Sequence, residues 1–541
     1  MDELSRLAES IRKLALDRAR ALQPYLERNR SLRSVAEDYQ PWNGRQRSTS
    51  LKVKNQSEDE SASRGAGNVS EAKRYGKRVR ELPLSFLHGR LPSPETGWAA
   101  GKALRKEVPR ESHAGWKPGN RRSAPVEILI ASNKGRIPEL VPIRHGRMLS
   151  SSFAFLRGSA ALMAADLADT PVTGLQVQAC GDCHLMNFGG FATPERNIFF
   201  DINDFDETLP APWEWDVKRL AASFACAGRH IGLKDSESAK AVRATVRFYR
   251  NSMAEYSRMP AFKVWYEHMN LQELIERFVR PENRAPTRAR IAKMGQRTVA
   301  EHDFPKMVEA EAGVFRIKEN PPLIYHGPRQ YQANYEELVT DAIKRYRETL
   351  PDHYRVLFDR FKPVDFAIKV VGVGSVGTMC GIGLFMASDN NPLFLQIKQA
   401  NASVLEPYAG RSQYPNHGQR VVAGQRLMQT ASDIMLGWTL GAKGEGRHFY
   451  IRQLRDMKIS VTIEAMDAEG LKNYGKLCGR TLARAHARSG NPSMLAGYMG
   501  NSSVFDDAVT KFAVDYADQT ERDHKTMARA VRDGRLVAQE V

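Results

Sequence analysis

The chain is 541 residues long, 42% hydrophobic and 26% charged, with five cysteines and a formal net charge of +18. Length and apolar content suit a two-lobed enzyme or two to three domains, and they exclude a wholly disordered, collagen-like or disulfide-stapled chain. Of the net charge, +10 falls in residues 1–130 and +8 in the other 411, which marks a basic leading segment and argues against nucleic acid as the partner of the folded part.

In chain order, Leu4, Leu7, Ile11 and Leu14 recur at helical spacing and predict an amphipathic helix within the first 25 residues. That stretch carries charges throughout and lacks the apolar centre of a secretory signal. With cysteines this sparse, a cytoplasmic location is expected. From Pro41 to Lys77 the text is polar and rich in Ser, Arg and Glu, so residues 1–125 read as a helix followed by a flexible basic segment. Folding is expected to begin near Val126.

Residues 126–344 are predicted to be mostly helical, with helices over Phe153–Ala168 and Trp215–Arg229 and short strands at GLQVQAC and NIFFDIND. The texture changes in 345–460. VDFAIKVV, TMCGIGLFMA and LFLQIKQA read as three strands, with a tight turn at SDNNP; a helix over 418–436 and a strand at HFYIRQLRD follow. Residues 461–541 read as helices from Leu471 to Val531. Val370–Ala387 is 18 residues without a charge and contains a GxxxG pair, but its glycines and its flanking Lys369 and Asp389 predict a sheet segment and no membrane span.

Chemistry concentrates in residues 180–220, CGDCHLMNFGGFATPERNIFFDINDFDETLPAPWEWDVKRL, where Asp182, His184, Asn187, Asp201, Asp204, Asp206 and Glu207 fall close together. Carboxylates this dense need a cation or substrate to offset their repulsion, and oxygen and amide donors suit Mg²⁺ rather than zinc. The C-x-x-C of Cys180 and Cys183 lacks a second pair, which argues against a zinc site, and its strand-to-loop setting argues against a redox centre. A second signal is G-V-G-S-V-G, with Gly372, Gly374, Ser375 and Gly377, followed by Lys398 in LFLQIK. No helix start follows the glycines, so a hairpin over ATP phosphates fits better than a dinucleotide fold. An oxidoreductase of that dinucleotide type is the third reading and requires a helix over Thr378–Ala387.

Asp182 and Asn187 are five apart, as in a kinase catalytic loop, and Asp204 follows on a strand. G-D-x-H-x-x-N, then D-F-D, then W-E-W-D resembles the aminoglycoside phosphotransferase and choline kinase branch of the kinase-like superfamily. The resemblance implies Asp182 as base, Asn187 and Asp204 as metal ligands, Asp216 as the residue that pins the loop, and His184 and Asp206 as structural support. It implies a two-lobed α+β fold that is circularly permuted, because the glycine loop and Lys398 follow the catalytic loop here. LCGRTLARAHARSG (477–490) is similar to the helix that ordinarily precedes that loop. Residues from about 126 to 535 also resemble the bacterial family catalogued as domain of unknown function 2252, on RHGRM, GDCHLMNFG, FDINDFDETLPAPWEWDVKRLAAS, VGVGSVGT, LQIKQA and LARAHARSG.

The expected activity is ATP- and Mg²⁺-dependent phosphoryl transfer to a small-molecule hydroxyl or amine. That acceptor is anionic if Arg243, Arg247 and Arg250 face it. The alternative is a catalytically dead nucleotide-binding module. It is favoured by the absence of a helix glutamate to pair with Lys398, for which Glu406 is the nearest candidate.

Overall fold

The architecture rests on a set of long helices whose apolar faces converge. The computed structural model describes residues 93–540, except 120–121, 280, 296–303, 312–313, 327–334, 371, 389–390, 442–445, 455–458 and 460. The amphipathic helix and the linker expected in the first 92 residues lie outside the described residues, as do Asp389 and Asn390 of the expected SDNNP turn.

Seven helices position the site: α1 (Val141–Leu149), α2 (Ser152–Gly158), α3 (Trp213–His230), α4 (Asp235–Tyr256), α5 (His417–Met428), α6 (Ala468–Ser489) and α7 (Val504–Arg532). Helices α3, α4, α6 and α7 share one core, to which Trp213, Leu220, Phe224, Tyr249, Leu482 and Phe512 contribute. Helix α6 starts where Asp467 accepts the Gly470 amide at 2.7 Å, an N-cap that satisfies a donor the helix itself cannot. Gly475 and Gly479, one turn apart, let α6 approach α4 closely. A Cβ at Gly479 would lie 2.2 Å from the Thr245 carbonyl oxygen, and one at Gly475 would lie 2.2 Å from the Thr245 hydroxyl.

Two expectations about this region are corrected. Residues 94–114, assigned to the flexible segment, form helix Pro94–Ala103 and two short 3-10 turns. Arg105 donates to the Gly497 and Tyr498 carbonyls at 2.5 and 2.8 Å, and Arg122 bridges Asp166 and Asp523. These partners lie 44 to 401 residues away, where no local pattern reveals them. The single helix expected over Phe153–Ala168 is two, α2 and Ala160–Ala168. The break falls at Gly158, whose missing side chain admits Met148 and whose carbonyl accepts from Arg144 at 2.8 Å.

Strands form one large sheet and three small ones. β1 (Gln176–Ala179) pairs with β4 (Leu209–Pro212), and β2 (Phe188–Ala192) pairs with β3 (Ile198–Ile202), all antiparallel. β5 (Val308–Glu311) and β6 (Val314–Ile317) make a further hairpin in a region expected to be helical. The six-stranded sheet comprises β7 (Ile324–Tyr325), β8 (Phe361–Lys369), β9 (Cys380–Ala387), β10 (Pro392–Ala400), β11 (Gly437–Leu440) and β12 (His448–Gln453), in the order β11-β12-β10-β9-β8-β7. Pro363, which cannot donate to the ladder, marks the register shift in β8. The three strands read from the sequence are β8, β9 and β10. Because β9 is a strand, the helix that a dinucleotide fold requires after the glycines is not there.

The helix expected over 418–436 ends at Met428. Asp433 draws the chain away, accepting from the Met435 amide at 2.8 Å and from the Gln453 amide. The end of α6 abuts β1 across 311 residues of sequence: the Gln178 amide donates to the Ser489 hydroxyl at 3.0 Å. No helix among the described residues is long and apolar enough to cross a membrane.

The α4–α6 contact leaves no room for a methyl group. Gly479→Ala is expected to lower unfolding stability by about 1–3 kcal/mol, measured by urea denaturation, while alanine at exposed Arg243 changes it by less than about 0.5 kcal/mol.

Candidate active site

The loop after β1 is held by hydrogen bonds to its backbone. Asp216, buried in the first turn of α3, accepts the Cys180 and Gly181 amides at 2.6 and 3.0 Å. His486 of α6 meets the same carboxylate at 3.2 Å through Nε2, and the Tyr249 hydroxyl meets its Nδ1 at 2.8 Å. Gly181 has φ +79°, and a Cβ there would lie 2.3 Å from the Glu207 carbonyl oxygen, so only glycine fits.

Asp182 follows directly. Its Oδ1 accepts from Arg219 Nε at 2.7 Å and from Nη2 of the same guanidinium, which also reaches the Leu156 carbonyl at 3.0 Å. Its Oδ2 faces His184 Nε2 at 3.8 Å. Burial lowers the His184 pKa to about 4, so the imidazole is neutral at pH 7. Asn187 donates its amide to the Asp182 carbonyl at 2.8 Å, which leaves its own carbonyl oxygen for another partner.

The second carboxylate group lies between β3 and β4. Asp206 accepts three donors from three segments: Lys398 Nζ at 2.7 Å, the Ser375 hydroxyl at 3.2 Å and the Tyr450 hydroxyl at 2.6 Å. Asp204 Oδ2 lies 4.0 Å from the same Nζ. Burial works against ionisation of both acids, yet Lys398 and Tyr450 hold Asp206 below the usual carboxylate range. Asp204 is raised by burial and by Asp206 beside it. Burial also opposes the Lys398 charge, but Asp206 foremost keeps that pKa above its ordinary value. Arg420 of α5 secures the turn, donating to the carbonyls of Asp206, Thr208 and Asn401 at 2.8, 2.6 and 2.9 Å.

The glycine loop spans the β8–β9 hairpin, with φ of +69° at Gly372 and +87° at Gly377. Its backbone is clamped from outside: Arg147 donates to Gly372 at 2.6 Å, Arg136 to Val376 at 2.5 Å, and the Ile137 amide to Gly377 at 2.7 Å. A cleft of about 400 Å³ lies beneath, lined among others by Gly372, Ser375, Lys398, Asp204, Gln425 and Leu454. Asp182 and Asn187 stand outside this lining, linked to it where the Asn187 backbone carbonyl, distinct from its side-chain oxygen, accepts the Asn203 backbone amide at 2.8 Å.

Gly372, Ser375, Lys398, Asp204 and Asp206 therefore converge, with Gly374 and Gly377 in the same loop and the Asp182–Asn187 loop alongside. Glu406 does not pair with Lys398. It accepts the Ser403 amide at 3.3 Å and lies 3.8 Å from His417. The carboxylate for Lys398 is Asp206, two residues past Asp204. Sequence reasoning missed Arg219, Arg420, Tyr450 and His486, whose partners Asp182, Asp206, Asp206 and Asp216 lie 37, 214, 244 and 270 residues away and leave no local signal.

Other candidates resolve into packing. Arg250 forms a buried bidentate pair with Asp506 at 2.8 Å, and Arg243 pairs with Asp507 at 2.6 Å, so neither is held in reserve for an anionic acceptor. Cys180, Cys183 and Asp216 are close enough to hold a metal, but the carboxylate is occupied by two amides and His486. Burial pushes the Cys183 thiol up to about 11 and raises the Cys180 thiol well above its ordinary value.

For magnesium, the oxygen donors fit. Asp204 is a desolvated carboxylate with no hydrogen-bonded cation of its own, and Asn187 has a spare carbonyl. Together they offer hard ligands with no competing thiolate or imidazole.

Two measurements check this description. Asp216→Ala leaves two buried amides without an acceptor and should lower stability by roughly 3–5 kcal/mol in denaturant unfolding. Glu207 is pushed up to about 7 by burial, against the opposing pull of Arg420 and the Val404 amide. A raised carboxylate contributes stability that is present at low pH and lost as pH rises through that value. Melting temperature should therefore fall further between pH 5 and pH 8 for the native chain than for Glu207→Gln.

Residues 136–530 match the family model DUF2252, described as an uncharacterized protein conserved in bacteria. No curated protein and no solved structure matches the chain. The family match spans well over half of the 541 residues and includes both the catalytic-type loop and the glycine loop; the chain belongs to this bacterial DUF2252 family.

Proposed function

We propose that the protein is an ATP- and Mg²⁺-dependent phosphotransferase with a circularly permuted kinase-like fold, acting on a small-molecule hydroxyl or amine. The observation that carries this reading is the meeting of Lys398, Asp204 and Asp206 with the glycine loop over one cleft, from segments more than 160 residues apart in the chain. The approach of the α6 end to β1 supports the permutation, since it joins in space the helix and loop that an unpermuted chain would join in sequence.

Each residue then has a defined task. Amides and glycines of the 372–377 loop lie against the phosphates, and Lys398, oriented by Asp206, sets its charge on them. Asp204 and Asn187 would hold magnesium, which offsets phosphate charge when bound. Asp182, fixed by Arg219 through Oδ1, offers Oδ2 to the acceptor proton. Positioning and charge neutralisation supply most of the catalysis in such a site. The second reading, a nucleotide-binding module without turnover, draws on Gln425 of α5, which lines the cleft where a helix glutamate was sought.

Calorimetry with Mg·ATP is the first test, with saturable binding expected and its absence at millimolar nucleotide decisive against both readings. With labelled ATP and a protein-free metabolite pool, label should pass to small molecules. Asp204→Ala should abolish that transfer and Asp182→Asn should reduce it about 10²-fold or more. Binding without transfer would favour the module, and label found only on polypeptide would exclude a small-molecule acceptor.

A further inference from the structure

Helix α2 ends as a wedge between the two halves of the site. The Arg157 carbonyl oxygen lies 3.3 Å from where a Cβ on Gly374 would stand, so this backbone rests on the glycine loop. One residue earlier, the Leu156 carbonyl accepts from the Arg219 guanidinium that also clamps Asp182. Besides Arg144, which is taken up by Ser132, Asn133 and Gly158, the segment from 136 through α2 carries three arginines. Two of them, Arg136 and Arg147, have their guanidinium groups on loop carbonyls.

The third is different. Arg157 Nε is buried with no hydrogen-bond partner, and the residue forms no ion pair. Its guanidinium lies 5.8 Å from the Phe153 ring centroid, and the acids that influence it are Asp182 and Glu464. A buried Nε donor with no acceptor is unfavourable until an anion arrives to complete it. Its backbone touches the glycine loop at Gly374 and its charge acts on Asp182 and His184, which sets it beside the route a phosphoryl group takes from nucleotide to acceptor.

We propose that Arg157 is a catalytic residue that binds the oxygens of the phosphoryl group in transit. The inference rests on the phosphotransferase reading and assigns a residue that reading does not use. In the step, the bond from the γ-phosphorus to the bridging oxygen breaks and its electron pair leaves with the nucleoside diphosphate. A new bond forms from phosphorus to the acceptor oxygen or nitrogen, whose proton passes to Asp182 Oδ2. Arg157 keeps its proton throughout and donates to the non-bridging oxygens, where charge is densest during transfer.

The test uses the full chain and needs no acceptor. Binding of Mg·ADP is measured with and without aluminium fluoride, which stands in for the transferring phosphoryl group, and ATP hydrolysis to water is followed in parallel. For the native chain, fluoride should tighten binding at least about tenfold. Arg157→Gln should bind Mg·ADP within about threefold of native, lose the tightening, and hydrolyse ATP on the order of 10²-fold more slowly or worse. Arg157→Lys retains the charge without the fork and should fall between the two. It also serves as the test variant if the glutamine protein fails to fold.

Unchanged tightening in Arg157→Gln overturns the inference while leaving the phosphotransferase reading intact. Unchanged hydrolysis with reduced transfer to a metabolite pool also overturns it, because the residue would then be reading an anion on the acceptor. If the native chain binds neither Mg·ADP nor its fluoride complex, the nucleotide site itself is refuted, and the role of Arg157 falls with it.

Discussion

The Asp206 carboxylate joins four pieces of the chain at one point. Lys398 reaches it from β10, Tyr450 from β12 and Ser375 from the glycine loop, while Asp206 itself comes from the turn beyond β3. Each donor alone is an ordinary hydrogen bond. Together they offset the burial of a lysine and an acid that would otherwise be driven toward neutrality. The sheet and the helical body are held in register by this ion pair, and the cleft exists because they meet there.

Around that point the buried charges are arranged in pairs that brace the loops. Arg219 holds Asp182, Arg420 holds the backbone of the carboxylate turn, and Arg484 holds Asp201, a fully buried acid that also accepts from Thr430 at 2.8 Å. A planar guanidinium with five donors suits this work, since it can satisfy a carboxylate and a carbonyl in one plane. The acids with an open oxygen are thus separated from the acids whose oxygens are taken up by support. Asp201 and Asp216 have their oxygens filled, whereas Asp182 and Asp204 each keep one oxygen turned toward solvent or the cleft.

The distinction explains what the sequence could and could not disclose. The loop from Cys180 to Asn187, the glycines of 372–377, Lys398 and the strands β8, β9 and β10 were legible because their chemistry lies in short spacings. Asp206 was read as support because nothing in NDFDE says which acid meets a lysine 192 residues on. Glu406 was offered as that partner for being near in sequence, but it is engaged by the Ser403 amide and His417 instead. Residues 94–114 looked like tail because their few buried positions, such as Gly97 and Gly101, pack against a helix at the other end of the chain. Local pattern reports which face of an element is apolar, but it carries no address for the partner of a charge.

The closure of α6 onto β1 has a further consequence, in time rather than space. The loop carrying Asp182 is synthesised early, yet the His486 ring that backs Asp216 and the Arg484 guanidinium that neutralises Asp201 emerge about 300 residues later. At typical translation rates of about 5–20 residues per second, that interval is roughly 15–60 s. Throughout it, Asp201 has no buried counter-charge and the loop lacks half of its anchor, so the site cannot settle into its final geometry. A chain released before α6 would carry the Asp182 loop and the Lys398 strand but not the scaffold that turns them into one centre. The late position of α6 thereby makes completion of the chain a condition for assembly of the site.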